Sequence, residues 1–152
     1  MSTKINQEQV KIITGSRYPP PFHAPVAGRA RQRLGDSAGL TQFGVNFTRL
    51  APGAWSSQRH WHSAEDEFIY VLEGELVLVT DSGEEILRPG DCAGFKAGVA
   101  DGHHLQNRTD REAVFLEVGG RSAQDECAYS DIDLKVPAGR GEFTRKNGEP
   151  YA

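Results

Sequence analysis

The sequence predicts an all-β domain, a sandwich or a barrel, and three observations support this. Short β-type runs follow one another from Arg29 onward at the spacing typical of such folds. Turn-forming residues separate these runs, and no long segment repeats with the 3.6-residue period of an amphipathic helix. The chain has 152 residues, of which 38% are hydrophobic, and this length is sufficient for one domain with a substantial core.

Residues 1–25 are predicted to form an extended N-terminal arm, ahead of a single domain at 26–152 that includes a C-terminal extension. Residues 10–14 have the composition of a short strand. The proline-rich run 18–25 is expected to be extended, because proline fixes its own φ and restricts the residue before it. In the domain, strands are expected near residues 29–34, 42–50, 55–62, 67–73, 75–80, 84–88, 91–95, 102–107, 113–119 and 126–135. Turns are expected at 73–75, 81–83 and 88–91, where glycine, proline, aspartate and serine cluster.

The strand predicted near 67–73 carries large apolar side chains on both faces. Ile69 and Val71 share one face, whereas Phe68, Tyr70 and Leu72 share the other. A strand that is apolar on both sides is usually covered on both sides. One face is expected to line the core. The other is expected to be covered by the N-terminal segment or by a second copy of the chain, and the second alternative predicts a homodimer.

Composition and charge exclude several classes of function. The formal net charge of −4 is not that of a protein with a large nucleic-acid or anionic-membrane footprint. No apolar run has the length of a membrane span, and the first residues lead into no apolar signal core. The two cysteines, Cys92 and Cys127, have no paired spacing that indicates a disulfide framework or a zinc ribbon. We therefore expect a cytoplasmic protein with reduced thiols.

The stretch His60-Trp61-His62, followed by Glu67, is the most informative part of the chain. In a strand, residues at positions i and i+2 point to the same side, with Cα atoms about 6.5 Å apart. Both imidazoles can therefore reach one ion. A short turn can return the Glu67 carboxylate to the same point, and a further histidine, His103 or His104, follows later. This pattern of nitrogen and carboxylate donors on adjacent strands predicts a metal site.

Two motifs around these residues resemble those of the cupin superfamily. The run 53–74, with its two histidines, glutamate and final Gly74, is similar to the first cupin motif, with one extra residue after the leading glycine. The run 90–107 is similar to the second motif. Looser likenesses at 34–45 and 129–134 point to a small single-domain bacterial branch. The resemblance implies a double-stranded β-helix, or jelly-roll barrel, the fold of the cupins.

The resemblance also implies one divalent metal ion (iron, manganese, nickel or zinc) held by His60, His62, Glu67 and His103. His103 is chosen over His104 because its spacing to Asn107 matches the motif. By strand alternation, His104 is then expected to face outward as an exposed residue.

Other charged and polar residues are candidates for contacts with a ligand. Gln58 has the strand parity of the histidines, and it either contacts a bound water or substrate or fills the barrel wall. Arg49 and Lys96, which replaces the usual proline of the second motif, are candidates for binding an acidic group. Arg29, Arg31 and Arg33 share one face of a strand, and this pattern favours a solvated or subunit-facing stripe over an anion site.

These residues predict a metal-dependent enzyme, an oxygenase or a sugar-type isomerase, acting on a small polar metabolite. The alternative is a non-catalytic cupin that binds or senses a small molecule. The sequence has no helix-turn-helix pattern to serve as an output module, which favours the enzyme. The catalytic residues and the reaction do not follow from fold-level resemblance.

Overall fold

The computed structural model describes residues 3–139 and 141–151, and short antiparallel strands account for nearly all of their regular structure. The strands are β1 (Ile12–Thr14), β2 (Arg29–Arg33), β3 (Phe43–Leu50), β4 (His60–His62), β5 (Glu67–Glu73), β6 (Leu76–Thr80), β7 (Gly83–Leu87), β8 (Cys92–Phe95), β9 (His104–Gln106), β10 (Ala113–Gly120), β11 (Cys127–Tyr129) and β12 (Lys135–Val136). One α-helical turn, α1 (Leu34–Ser37), and two 3-10 turns (Gln7–Gln9, Ala24–Val26) complete the regular elements. No helix among the described residues is long and apolar enough to cross a membrane.

The strands form two layers. The first layer is a six-stranded sheet in the order β1-β2-β3-β10-β5-β8. The second consists of two three-stranded sheets, β7-β6-β9 and β12-β11-β4, joined by the bridges Trp55–Gln106 and His60–His103. This arrangement confirms the predicted jelly-roll barrel.

The main core fills the space between the two layers. From the six-stranded sheet, Val71 and Phe115 are register partners on neighbouring strands, and both are fully buried. They belong to one apolar cluster with Leu76 and Leu105 of the opposite layer. The inward face of the sheet is thus fixed by strand alternation, and this places Glu67, at the start of β5, at the edge of the barrel interior.

The three predicted turns are present. Gly74 joins β5 to β6 with a φ of +77°, and a Cβ at this position would lie only 2.8 Å from the carbonyl oxygen of Glu112. Both the conformation and the close backbone contact therefore require glycine. The turn before β8 is closed by Asp91, whose carboxylate accepts a hydrogen bond from the Arg88 amide at 2.8 Å.

Three segments differ from the prediction. Only 60–62 of the expected strand 55–62 pairs continuously, and the segment 126–135 is interrupted between β11 and β12. The run 18–25 is extended only at its start and then turns into the 3-10 helix at Ala24–Val26. The φ of proline is compatible with turns and with 3-10 geometry as well as with extended chain, so proline content alone does not require extension.

The outer face of β5 is open to solvent in the single chain, with Phe68 42% and Tyr70 39% exposed. The N-terminal segment does not cover it, because β1 adds to the sheet edge beside β2 instead. Of the two partners predicted to cover this face, the N-terminal segment is thus excluded for the described residues. Coverage by a second copy of the chain, and with it the homodimer, stays a prediction.

Candidate metal centre

The structure brings four predicted side chains together at one end of the barrel. His60 and His62 lie on β4, Glu67 opens β5, and His103 precedes β9 and bridges to His60. One Glu67 oxygen, Oε1, lies 2.5 Å from Nε2 of His62 and 3.4 Å from Nε2 of His60. The other, Oε2, lies 2.5 Å from Nε2 of His103. The three Nε2 atoms thus converge on one carboxylate.

The second ring nitrogens of two of these histidines are held by the protein. Nδ1 of His62 lies 2.7 Å from Oδ2 of Asp125, and Nδ1 of His60 lies 2.8 Å from the carbonyl oxygen of Gln58. A proton on each Nδ1 satisfies these acceptors and turns Nε2 to the centre, where it would offer its lone pair to a bound ion once the proton that it shares with Glu67 is released. The His103 ring is fixed differently, by stacking on Phe95 with ring centroids 3.6 Å apart.

The close contacts shift the pKa values of Glu67, His62 and His103. Burial alone would raise the pKa of Glu67, but hydrogen bonds from His103, His60 and His62 lower it well below its usual range. Burial alone would lower the pKa of His62, but Glu67 and Asp125 together raise it to about 9. For His103 burial prevails, and its pKa is lowered despite the contact with Glu67. His62 is therefore protonated at neutral pH in the metal-free protein, beside the ionised Glu67 carboxylate.

The donor set fits a divalent metal ion. Three imidazole nitrogens and one carboxylate oxygen are the donors that iron, manganese, nickel and zinc accept. The potential ligand atoms are also close enough to share one ion, since those of His60, Glu67 and His103 all lie within 4.8 Å of one another. His60 and His62 form another such group with the buried Cys127.

A cavity of about 290 Å³ opens beside this centre, at the small end of the range for ligand sites. Its lining combines the four converging residues with hydroxyl groups and with charged groups of both signs. The hydroxyls include Tyr18 and Tyr129, and the other charged residues are Arg29, Arg31, Arg121, Glu65 and Glu117. Burial, first of all, raises the pKa of both tyrosines, so they act as neutral hydrogen-bond groups.

The three predicted ligand-contact residues have different positions. Gln58 is buried and donates its amide to the carbonyl oxygen of Phe22 at 2.9 Å, so it fills the wall rather than the cavity. Arg49 lies outside the cavity lining, where it pairs with Glu112 at 2.8 Å. Lys96 lines a smaller adjoining pocket of about 240 Å³ that also reaches His62, Glu67 and His103.

Two predictions about exposure are wrong. His104 is not exposed outside: only 4% of its surface is accessible, because Trp55 packs against its ring and its Nδ1 lies 2.8 Å from the carbonyl oxygen of Ser57, and it lines the cavity together with His103. The predicted solvated or subunit-facing stripe is wrong for Arg29 and Arg31, because their shared face of β2 is the inward one and both line the cavity, whereas Arg33 at the end of the strand is exposed. Alternation identifies which residues share a face, but it does not tell which face is covered.

Sequence reasoning missed two groups that the fold adds to the site. Asp125 comes from the loop before β11, and its other oxygen, Oδ1, accepts the amides of Ala64 and Glu65 at 2.9 and 3.1 Å. Tyr129 reaches the histidines because β11 pairs with β4, with Tyr129 opposite His60. Neither residue has a spacing relative to the motifs that could have indicated it.

Known proteins resemble this chain in sequence and in fold. The family model described as a Cupin domain matches residues 46–119. A crystal structure from Silicibacter pomeroyi, named as a sugar phosphate isomerase from the cupin superfamily, superposes with a TM-score of 0.91 and 49% identity, covering 98% of this chain and 96% of that one.

Two curated proteins are more distant relatives. A beta-D-galactosidase of Mycobacterium tuberculosis is 34% identical over 102 residues, which are 66% of this chain and 82% of that protein. The tetracenomycin polyketide synthase protein TcmJ of Streptomyces glaucescens is 31% identical over 98 residues. That match covers 64% of each protein, so this chain spans just under two thirds of the length of that relative.

Proposed function

This chain belongs to the cupin superfamily, and from that premise we propose that it is a metal-dependent isomerase of a small, sugar-like metabolite. The observation that carries the proposal is the convergence of three Nε2 atoms on the Glu67 carboxylate beside a small polar cavity. The name of the Silicibacter pomeroyi relative supports an isomerase over an oxygenase, since the match spans nearly the whole of both chains.

His60, His62, Glu67 and His103 would hold the ion. When bound, a divalent metal polarises the oxygens of a carbonyl or an enediol as a Lewis acid. Around it, Asp125 would keep His62 in the tautomer that presents Nε2 to the centre. This division of roles gives the histidines the task of binding and leaves proton movement to other groups in the cavity.

Glu65 is the group we assign to proton transfer. It lines the cavity, and burial, above all, raises its pKa, which suits a carboxylate that alternately takes and returns a proton. It would remove the proton from the hydroxyl-bearing carbon next to the carbonyl and deliver it to the former carbonyl carbon, while a second proton passes from the hydroxyl oxygen to the carbonyl oxygen. Glu117, the other glutamate of the wall, is engaged by Arg31 and Thr48 at 2.6 and 2.8 Å.

Neutral hydroxyls complete the proposed site. Tyr129 lies beside His60, with ring centroids 5.6 Å apart, and lines the cavity together with Tyr18. With their pKa values raised, these phenols stay protonated at neutral pH and are suited to donate hydrogen bonds to substrate oxygens. A polyhydroxylated substrate matches this lining better than an apolar one.

Proton exchange in D2O tests the proposal. The protein, loaded in turn with iron(II), manganese, nickel and zinc, is incubated with a panel of aldoses, ketoses and their phosphates, and deuterium incorporation at C1 and C2 is followed by NMR. We expect exchange with interconversion for at least one metal and substrate pair. Glu65→Gln should abolish exchange while it retains the metal, and Glu126→Gln, a nearby control outside the cavity lining, should not.

Absence of exchange with every metal would contradict the isomerase. Oxygen uptake by the iron(II) form with catechols, thiols or keto acids would then indicate the oxygenase, and saturable binding without turnover would indicate the ligand-binding alternative.

A further inference from the structure

One wall of the cavity carries two positively charged side chains on a single strand. Arg29 and Arg31, which we call the arginine wall, both lie on the inward face of β2 and line the cavity. Arg31 is the register partner of Thr48, which is fully buried, and this confirms the direction of that face. Neither residue has a role in the proposed metal centre or in the proton transfer assigned to Glu65.

Arg29 has a guanidinium group that is fixed by hydrogen bonds to the backbone but forms no ion pair with a described residue. Its terminal nitrogens donate to the carbonyl oxygens of Ser56 and Gly15 at 2.7 and 2.9 Å, and no carboxylate pairs with it within the described part of the chain. Burial, with a contribution from Arg31, lowers its pKa to about 10, which still leaves it protonated at neutral pH. A buried charge without a counterion is costly unless another charge joins it, so this wall is suited to an anion.

Arg31 is the member of the wall that is available for contact. Its Nε lies 2.6 Å from Oε1 of Glu117, and its side chain keeps 20% of its surface exposed. Its terminal nitrogens form no hydrogen bond with any described residue, in contrast to those of Arg29. With Nε in ionic contact with Glu117, the guanidinium presents its two terminal nitrogens as a planar fork, the geometry that oxyanions match.

The charge balance of the cavity favours a dianion. Three arginines and three glutamates line it, so their formal charges cancel. A divalent ion at the proposed centre would leave two positive charges in excess. A phosphate monoester carries a charge close to −2 at pH 7, and it offers three oxygens to a fork of donors.

We propose that the arginine wall binds the phosphate group of a small phosphate monoester, with Arg31 as the contacting residue and Arg29 as the buried charge behind it. This inference rests on the proposed function for the nature of the rest of the ligand. Phosphate binding can be measured separately from turnover, and it should be tighter in the metal-loaded than in the metal-free protein, because the ion would supply the excess positive charge.

The test is calorimetric titration of the metal-free and metal-loaded protein with inorganic phosphate and with glycerol 3-phosphate. The informative variant is R31Q/E117Q, which removes the ion pair and leaves the sum of the charges in the cavity unchanged. We expect both titrants to bind the wild type, and the double variant to bind them at least about ten-fold more weakly, the loss that follows from charge-assisted hydrogen bonds. Binding should also weaken with added NaCl.

Arg49→Gln is the matched control, because Arg49 lies outside the cavity lining and pairs with Glu112 at 2.8 Å. Its affinity should stay within two-fold of the wild type, and R31K should recover part of the lost affinity. Thermal unfolding of each variant establishes that the fold is intact, which matters most for Arg29 variants.

The inference is overturned if R31Q/E117Q binds glycerol 3-phosphate as tightly as the wild type, or if only inorganic phosphate binds. Loss of binding in His60→Ala but not in R31Q/E117Q would place the anion on the metal and likewise overturn it. That result would not contradict the proposed isomerase. Conversely, if phosphate binds but no proton exchange is seen, the isomerase is contradicted and the anion site is not.

Discussion

Replacing Asp125 with asparagine should weaken metal binding without changing the fold. In the wild type, Oδ1 of Asp125 accepts two backbone amides while Oδ2 accepts Nδ1 of His62 at 2.7 Å. Asparagine is of equal size but has one acceptor oxygen. That oxygen would stay with the two amides of Ala64 and Glu65, because turning it away would leave both unsatisfied. The new NH2 group would then face His62.

Facing a donor, His62 is expected to lose the proton on Nδ1 and to keep the one on Nε2, where it blocks a metal ligand. Binding the ion then requires the original tautomer without its charge-assisted hydrogen bond, a loss of about 1.5–3 kcal/mol. This corresponds to roughly a 10- to 150-fold weaker metal affinity, in line with the effect of removing such supporting carboxylates elsewhere.

The assay is competition for zinc or cobalt(II) against a chelator of known affinity. Asp131→Asn is the control, because Asp131 also loses a charge but pairs with Arg59, at 2.8 Å, away from the histidines. An Asp125→Asn protein that binds metal within two-fold of the wild type would refute the tautomer argument. So would an equal loss in the control.

Four further predictions follow from the same structure. The pKa of His62 in the metal-free protein is raised to about 9, above its unfolded value of about 6.5. Its contribution to stability is therefore complete below about pH 6.5 and is lost as the pH rises through about 9. The melting temperature of the metal-free protein should accordingly fall between about pH 7 and about pH 10. His60→Ala should lower the metal content of the purified protein at least about ten-fold by elemental analysis, and an unchanged content would exclude the site. Leu76→Ala should cost about 2–5 kcal/mol in urea unfolding, because this core side chain is fully buried. Light scattering at micromolar concentration should report a dimer that Phe68→Asp dissociates, and a wild-type monomer would contradict it.

The sequence predicted the fold well because its information about the fold is local. Each predicted turn is specified by residues within the turn, such as Gly74 with its positive φ, and most strand positions follow from composition over a few residues. The segment 18–25 was mispredicted because proline restricts φ without selecting between extended and turn geometry. The outcome there is decided by hydrogen bonds such as that from the Phe22 amide to the Pro19 carbonyl.

The candidate ligands were also predictable, since two of them lie one residue apart on a strand. The residues that tune them were not. Asp125 is 63 positions from His62 and meets it only because β11 pairs with β4. Such support is fixed by the pairing of distant strands, about which periodicity within a single segment carries no information.

The arginines of β2 show that the covered face of a strand is decided by its neighbouring strand and not by alternation alone. Alternation correctly groups Arg29 with Arg31, and general experience favours a solvated face for a run of charges. In this fold, however, β2 lies beside β3, whose inward row includes the buried Thr48, so the arginine face must be inward as well. Charge turned into a barrel has to be compensated there. Glu117 compensates Arg31, and Arg29, which has no carboxylate partner in an ion pair among the described residues, makes this face of β2 suited to the anionic group of a ligand.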